Sequence, residues 1–332
     1  MSFCPIPGAP RMSTPPAPDE SRAMLANRPA SAANVEAASP DASTITRVAV
    51  GVDDFPEGRD AAALGAALAR VMGAELMLAT VHSPPLVPLP PDMGWRSVRE
   101  GSQVRLRAVR RLFAPDARTV TGTDLSVARG LHRAVRRHHS ELLVVGSSRH
   151  GPEGRVRIGK RTRQLLCHFE CALAVAPGGI HSRPSVTLRE IAVGYDGSPE
   201  SASALAIAGT IASAAGAELH VCAVVDDRHP RIAPHSKGHA GEWDDIIRKE
   251  VNRARGWARA AARETGANAH ARVLRGRPAD ALLSLSERVD LLVIGSRRWR
   301  PATRLLFGST GEAVMHDAAC AVLAVPRSAP NP

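Results

Sequence analysis

The chain has 332 residues, enough for about two domains of ordinary size. Its 43 lysines and arginines against 32 acidic residues give a formal net charge of +11; yet the arginines are scattered, with no aromatic-interleaved basic strip or helix-turn-helix pattern, so nucleic acid is not the expected partner. No apolar run approaches the ~20 residues of a membrane-spanning helix, and five cysteines without a CxxC pair or a leader pattern predict a reducing, cytoplasmic setting.

Residues 1–44 are rich in Pro, Ala, Ser and Asp and read as a disordered tail. A first unit follows at 45–178, a linker of turn residues at 179–187 and a second unit at 188–327. The second unit repeats the first. Val48-Ala49-Val50-Gly51-Val52-Asp53 returns 143 residues later as Ile191-Ala192-Val193-Gly194-Tyr195-Asp196, and Gly73-Ala74-Glu75-Leu76 as Gly216-Ala217-Glu218-Leu219. Further on, Glu141–Ser147 returns as Asp290–Ser296 at an offset of 149, so the second copy carries a six-residue insertion in its middle. Order shared over this distance means duplication of a whole domain.

The second copy shows the alternation of elements well. Glu190–Tyr195 reads as a buried strand, Glu200–Ala215 as an Ala-rich helix ended by Gly216, and Ala217–Val225 as a second strand. A polar segment leads to a helix over about 242–265, then a strand at Ala269–Leu274 and a helix with Pro278 near its start. Leu291–Ile294 is a short fourth strand, Gly308-Ser309-Thr310 starts a last helix, and Ala321–Val325 is the fifth strand. Strict alternation, with strands apolar on both faces, predicts an α/β fold of two tandem doubly wound domains, each around a five-stranded parallel sheet.

Ligands of such sheets sit beyond the carboxyl ends of the strands. There Asp196 ends the first strand, Val224 lies near the end of the second, and Gly295 ends the fourth. From Gly295 a basic loop with Arg298, Arg300 and Arg304 leads to Gly308, Ser309 and Thr310. Free amides and the dipole at that helix start suit a phosphate, and the arginines add charge for it. The first copy offers Asp53, Val81, Gly146, Arg149, Gly159 and Lys160 at the matching places. No carboxylate pair or nucleophile–base set points to efficient catalysis. The thirteen histidines show no metal-ligand spacing, and Cys167 and Cys171 read as small buried apolar residues.

Both copies resemble universal stress protein domains, over nearly everything from residue 46 to 326. The nucleotide-binding branch of that family carries Gly, two residues, Gly, nine residues, Gly, then Ser or Thr. Gly295 and Gly308-Ser309 hold the first and last positions, with Arg298 at the middle glycine. Gly146 and Gly159 keep the spacing in the first copy, with Arg149 at the middle and Lys160 in place of the hydroxyl residue. Members that bind ATP use an aspartate and a valine at the places of Asp196 and Val224, or Asp53 and Val81. The resemblance implies a Rossmann-like, adenine nucleotide alpha hydrolase-like fold. It also implies ATP, with or without Mg2+, as ligand, held mainly in the second copy, and a role as stress-response sensor or effector. Alternatives are a scaffold that has lost nucleotide binding and an enzyme acting on a phosphorylated small molecule. Arg298 either clamps phosphate or fills the space the glycine leaves. Members usually dimerise through the last strand, so the two copies are expected to pack as an intramolecular pseudo-dimer through Ala172–Ala176 and Ala321–Val325; a homodimer of whole chains is a further option.

Overall fold

The computed structural model describes residues 45–84, 95–159, 162–163, 171–228, 240–298, 305–306 and 308–326, with backbone alone at 95–98, 240–243, 297–298 and 305–306. The tail read at 1–44 and the residues Lys160, Cys167, Arg300 and Arg304 lie outside them.

The first half runs β1 (Arg47–Gly51), α1 (Pro56–Met72), β2 (Glu75–His82), α2 (Trp95–Phe113), β3 (Arg118–Thr123), α3 (Val127–Arg137), β4 (Leu142–Gly146) and β5 (Ala172–Ala176). A single 3-10 turn at Ile180–Ser182 lies in the linker. The second half runs β6 (Glu190–Gly194), α4 (Pro199–Ala215), β7 (Glu218–Val225), α5 (Ala240–Glu264), β8 (Ala269–Arg275), α6 (Pro278–Ser286), β9 (Leu291–Arg298), β10 (Leu305–Leu306), α7 (Ser309–Asp317) and β11 (Ala321–Pro326). Pro56 and Pro199 open α1 and α4, where a missing amide costs no helical bond. Gly73 and Gly216 close them in the left-handed region, at φ 62° and 63°. No helix among the described residues is long and apolar enough to cross a membrane.

The strand order is β3-β2-β1-β4-β5-β11-β9-β6-β7-β8. Within each half five strands run parallel, in the doubly wound arrangement expected from the alternation; β10 lies off this order and pairs antiparallel with β9. The halves join where β5 and β11 pair antiparallel, Val175 with Val322, Ala174 with Leu323 and Leu173 with Ala324. Every residue of β5 is buried. Alone it would be an apolar edge strand with a row of open backbone groups; β11 supplies the partner, and the two sheets become one.

One element differs from its sequence-based expectation. The fourth strand of the second half does not stop at Ile294. Gly295 and Ser296 stay paired with Val325 and Pro326, and Arg297 and Arg298 turn into a hairpin with Leu306 and Leu305. In the first half β4 stops at Gly146.

Cys222 and Cys320 are buried in the packing on one face of the sheet. Burial pushes both thiols up to about 12, so about one in ten thousand is ionised at pH 8. Iodoacetamide at pH 8 is expected to leave both unmodified in the native chain and to label both after denaturation, read by peptide mass spectrometry. Rapid native labelling of either would contradict this burial.

Candidate functional site

A cavity of about 770 Å3 opens in the first half, beyond the carboxyl ends of β1, β2 and β4. Asp53, Val81, Gly146, Arg149 and Gly159 all line it, so the structure brings together the described members of the first-half set. Val52, Val81 and Leu131 give it an apolar wall, and Ser148, Arg157 and Arg163 a polar one. Asp53 sits in the turn after β1, its Oδ1 accepting the Phe55 amide at 3.1 Å. Its carboxyl is held above the usual range, mainly by desolvation. Glu57 and Asp54 push the same way, while the Phe55 amide and Arg149 oppose them.

The loop after β4 is folded back on itself. Ser147, buried, donates its hydroxyl to the Ala176 carbonyl at 2.8 Å and accepts the Arg157 amide at 3.1 Å. The Ser148 amide donates to the Arg157 carbonyl at 2.7 Å, and the Gly151 amide closes a turn on the Ser148 carbonyl at 2.8 Å. A side chain at Gly151 would place its Cβ 2.9 Å from Arg157 Cβ, so the turn needs glycine. Arg149, at the family's middle glycine, has its guanidinium 3.7 Å from the centre of the Phe55 ring, a cation–π contact at the cavity wall.

The glycines divide into two kinds. An added Cβ at Gly146 would lie 2.1 Å from the Glu57 carbonyl oxygen, and one at Gly295 would lie 2.5 Å from that of Glu200. Each strand end passes directly under the first turn of α1 or α4, and packing alone demands glycine there. Gly159 and Gly308 are different. Neither has a positive φ; a Cβ at Gly159 would meet Ser148 at an ordinary 3.4 Å, and one at Gly308 meets nothing described within 4 Å.

The second half reaches into the first-half site. The Val156 amide donates to the Ala318 carbonyl at 2.7 Å, the Ile158 amide to Met315 at 3.1 Å, and Arg155 to the Asp317 carbonyl at 2.8 Å. These carbonyls, at the C-terminal end of α7, have no partner within the helix, and a cation suits that end of the helix dipole. Arg163 lies 3.3 Å from His316 Nε2 and 3.5 Å from Glu312, and His316 lines the cavity. Arg157, Arg163 and His316 were not singled out from the sequence. For His316 the signal was its place one helix beyond Gly308, which alone does not say that the helix docks on the other half.

In the second half, Asp196 repeats the role of Asp53, its Oδ1 accepting the Ser198 amide at 3.0 Å. Val224 is the next-to-last residue of β7, and Gly295 lies in β9, with β6 between these two strands. Gly308 caps α7 without a side-chain hydrogen bond; Ser309 is exposed and Thr310 half-buried, so the amides of the first turn are open to an anion. Only the backbone of Arg298 is described, in the hairpin opposite Leu305. Ser296, the counterpart of Ser147, is fully buried with no hydrogen-bond partner for its Oγ among the described residues.

The profile of the universal stress protein family matches residues 44–177 and again 187–326. A universal stress protein of Mycobacterium tuberculosis (strain H37Rv) is 28% identical over 290 residues, spanning 85% of this chain and 97% of its own length. One of Thermus aquaticus is 32% identical over 145 residues, 41% of this chain and 98% of its own. A crystal structure of a universal stress protein from Archaeoglobus fulgidus overlays with a TM-score of 0.58 at 16% identity, covering 85% of this chain and 96% of that one. The chain belongs to the universal stress protein family and carries the family's domain twice.

Proposed function

We propose that this is a cytoplasmic, adenine-nucleotide-binding stress protein, with ATP as its ligand, acting as a sensor or effector and not as a metabolic enzyme. The observation that carries the reading is the first-half cavity. Its volume of about 770 Å3 falls within the range of about 300–1,000 Å3 common to small-molecule sites. The wall of Val52, Val81 and Leu131 suits a base, Asp53 offers an acceptor for a ribose hydroxyl, and Arg157 and Arg163 supply positive charge for phosphate. The Arg163 amide donates to the Gly159 carbonyl at 2.9 Å, and Thr162 and Arg163 are helical, close after the last glycine of the motif, where free amides would favour phosphate. The second half repeats the aspartate, the valine and the glycine spacing as Asp196, Val224 and Gly295–Gly308, with Ser309 and Thr310 supplying hydroxyls where the first half has Lys160. This makes the second half the tighter of two sites. Mg2+ would accompany a bound triphosphate as its counterion.

Mass spectrometry of freshly purified, denatured chain is expected to release an adenine nucleotide, and calorimetry to show ATP binding tighter than adenosine and weakened by salt. No nucleotide and no binding would leave a scaffold that works through protein partners. Turnover of a phosphorylated metabolite, in a screen of such compounds, would replace the reading with an enzyme.

A further inference from the structure

His220 of β7 stands where the first half has Met77, 143 residues earlier. Both are buried, at 1% and 5% exposure. An apolar side chain therefore satisfies the fold at this place, and the buried imidazole needs another reason. Around it, Glu218 lies two residues before it on the same face of β7, Glu190 stands opposite Glu218 on β6, and His270 is directly across on β8. The first half has Arg47, Glu75 and Arg118 at the corresponding positions, paired in the same register.

The two nitrogens of His220 have different surroundings. Nε2 lies 2.5 Å from Glu190 Oε2, with Arg272 at 3.5 Å on the same nitrogen. Nδ1 is buried and makes no hydrogen bond. It faces Glu218 Oε1 at 3.7 Å, and the same oxygen lies 3.7 Å from His270 Nε2. Glu190, Glu218 and His220 each bring a ligand atom within 4.8 Å of the others.

We propose that His220 Nδ1, Glu218 Oε1 and His270 Nε2 bind a divalent transition ion of the zinc class, with Glu190 orienting His220. Around a tetrahedral ion with bonds of about 2.0–2.1 Å, neighbouring ligand atoms stand roughly 3.3 Å apart; the two spacings of 3.7 Å to Glu218 Oε1 need a small contraction, and the exposed His270 ring must swing toward His220, since His270 is not among the residues whose ligand atoms all lie within 4.8 Å of one another. A carboxylate on the far nitrogen keeps the proton on Nε2 and turns the Nδ1 lone pair toward the ion. Two imidazoles with one carboxylate select zinc-like ions over Mg2+ and Ca2+, which take oxygen ligands. The side chains of Glu218 and His270 are 37% and 54% exposed, which leaves a path for the ion and a fourth position for water. The ligands sit near the amino ends of β7 and β8, at the end of the sheet away from Asp196 and Val224, so the ion would tie the outer strands together without touching the nucleotide site.

The test is Zn2+ titration of the full chain by calorimetry, with thermal unfolding alongside. The wild type is expected to bind one Zn2+ and to gain in Tm as the ion favours the folded state. Glu218→Gln and His270→Ala alter half-exposed residues, and His220→Met copies the residue the first half carries, so all three should fold. Each should weaken Zn2+ by at least about tenfold, and Glu190→Gln by about 10–100-fold. Co2+ should give the visible absorption of a tetrahedral site in the wild type and lose it in His270→Ala. Absence of one-equivalent binding by the wild type, or wild-type affinity in these variants, would overturn the proposal. His220 would then be a buried imidazole held by its hydrogen bond to Glu190, with any Zn2+ bound by other histidines.

Discussion

Valine in place of Gly308 is expected to lower ATP affinity by at least tenfold, about 1.4 kcal/mol, while Tm stays within about 2 °C of wild type. Alanine in place of Gly295 is expected to do the reverse. A Cβ at Gly308 meets no described atom within 4 Å, and its backbone, at φ −67° and ψ 172°, is extended and open to any residue. What valine crowds there is the space a phosphate would use against the first amides of α7. At Gly295 even a methyl group would stand 2.5 Å from a backbone carbonyl oxygen, and overpacking of this kind costs about 1–3 kcal/mol. The first half has the same pair, with a harsher clash of 2.1 Å at Gly146 and ordinary contacts at Gly159. Gly146→Ala should thus be the least stable of the four. Gly159→Val should weaken ATP less than Gly308→Val, because Lys160 replaces the hydroxyl residue that follows Gly308. Calorimetry with ATP and thermal unfolding on the four variants check both axes. Loss of binding without loss of stability at Gly295 would contradict the packing account, and unchanged binding at Gly308 would contradict the phosphate account.

The two sites meet in one helix. The N-terminus of α7 would belong to the proposed second site, while its C-terminal carbonyls are held by residues 155–158 of the first-half loop and His316 lines the first cavity. A ligand that draws on the first turn of α7 would also strain or relax the loop that carries Arg157. In separate single-domain subunits this loop would be satisfied only on dimerisation. Here the duplication and the β5–β11 pairing make the contact part of one chain.

Much of this arrangement was legible in the sequence. Five-residue apolar runs at Ala172–Ala176 and Ala321–Val325 need cover on both faces and along one edge, and their pairing follows from that need. The strand-end positions of Asp53 and Val81 and the spacing from Gly146 to Gly159 were read as one set, and all four residues line one cavity. The loops of the two copies have equal length, however, and that misled. Gly151 makes the first loop's turn possible, whereas Arg300 occupies its place in the second, and β9 there runs on into a hairpin. The role read for the first glycine of each motif also has a plainer cause, since packing under α1 or α4 already demands it. His220 and His270 lie in different strands and touch only through sheet register, so no linear spacing marks them. Arg149 stands at the middle glycine of its motif; its stack on Phe55 was hidden because the second copy has Ser198 in place of Phe55.

Asp60 carries the largest stability effect expected for a single side chain. It is 1% exposed within the buried face of α1, where an Ala-rich pattern gave no reason to look for an acid. Its carboxylate accepts the Gly179 amide at 3.0 Å and the His181 amide at 2.9 Å, and stands 2.6 Å from His181 Nδ1. Gly179 has φ +81°, a left-handed turn that presents both amides to one side chain. The linker between the halves is thereby fixed to the first helix. The second half has Ser203 at the matching place, with its hydroxyl returned to the Pro199 carbonyl at 3.1 Å. Asp60→Ala removes the acceptor and leaves two amides and an imidazole without their partner in a part-buried site, a loss of about 2–4 kcal/mol. Asp60→Asn keeps one carbonyl oxygen in reach of the amides and should lose about half as much. Ser203→Ala, on the exposed side of α4, should change stability by less than about 0.5 kcal/mol. Urea unfolding of the full chain measures all three. An Asp60→Ala loss no larger than that of Ser203→Ala would mean that the linker is held by the β5–β11 junction alone and that the buried carboxylate contributes nothing to it.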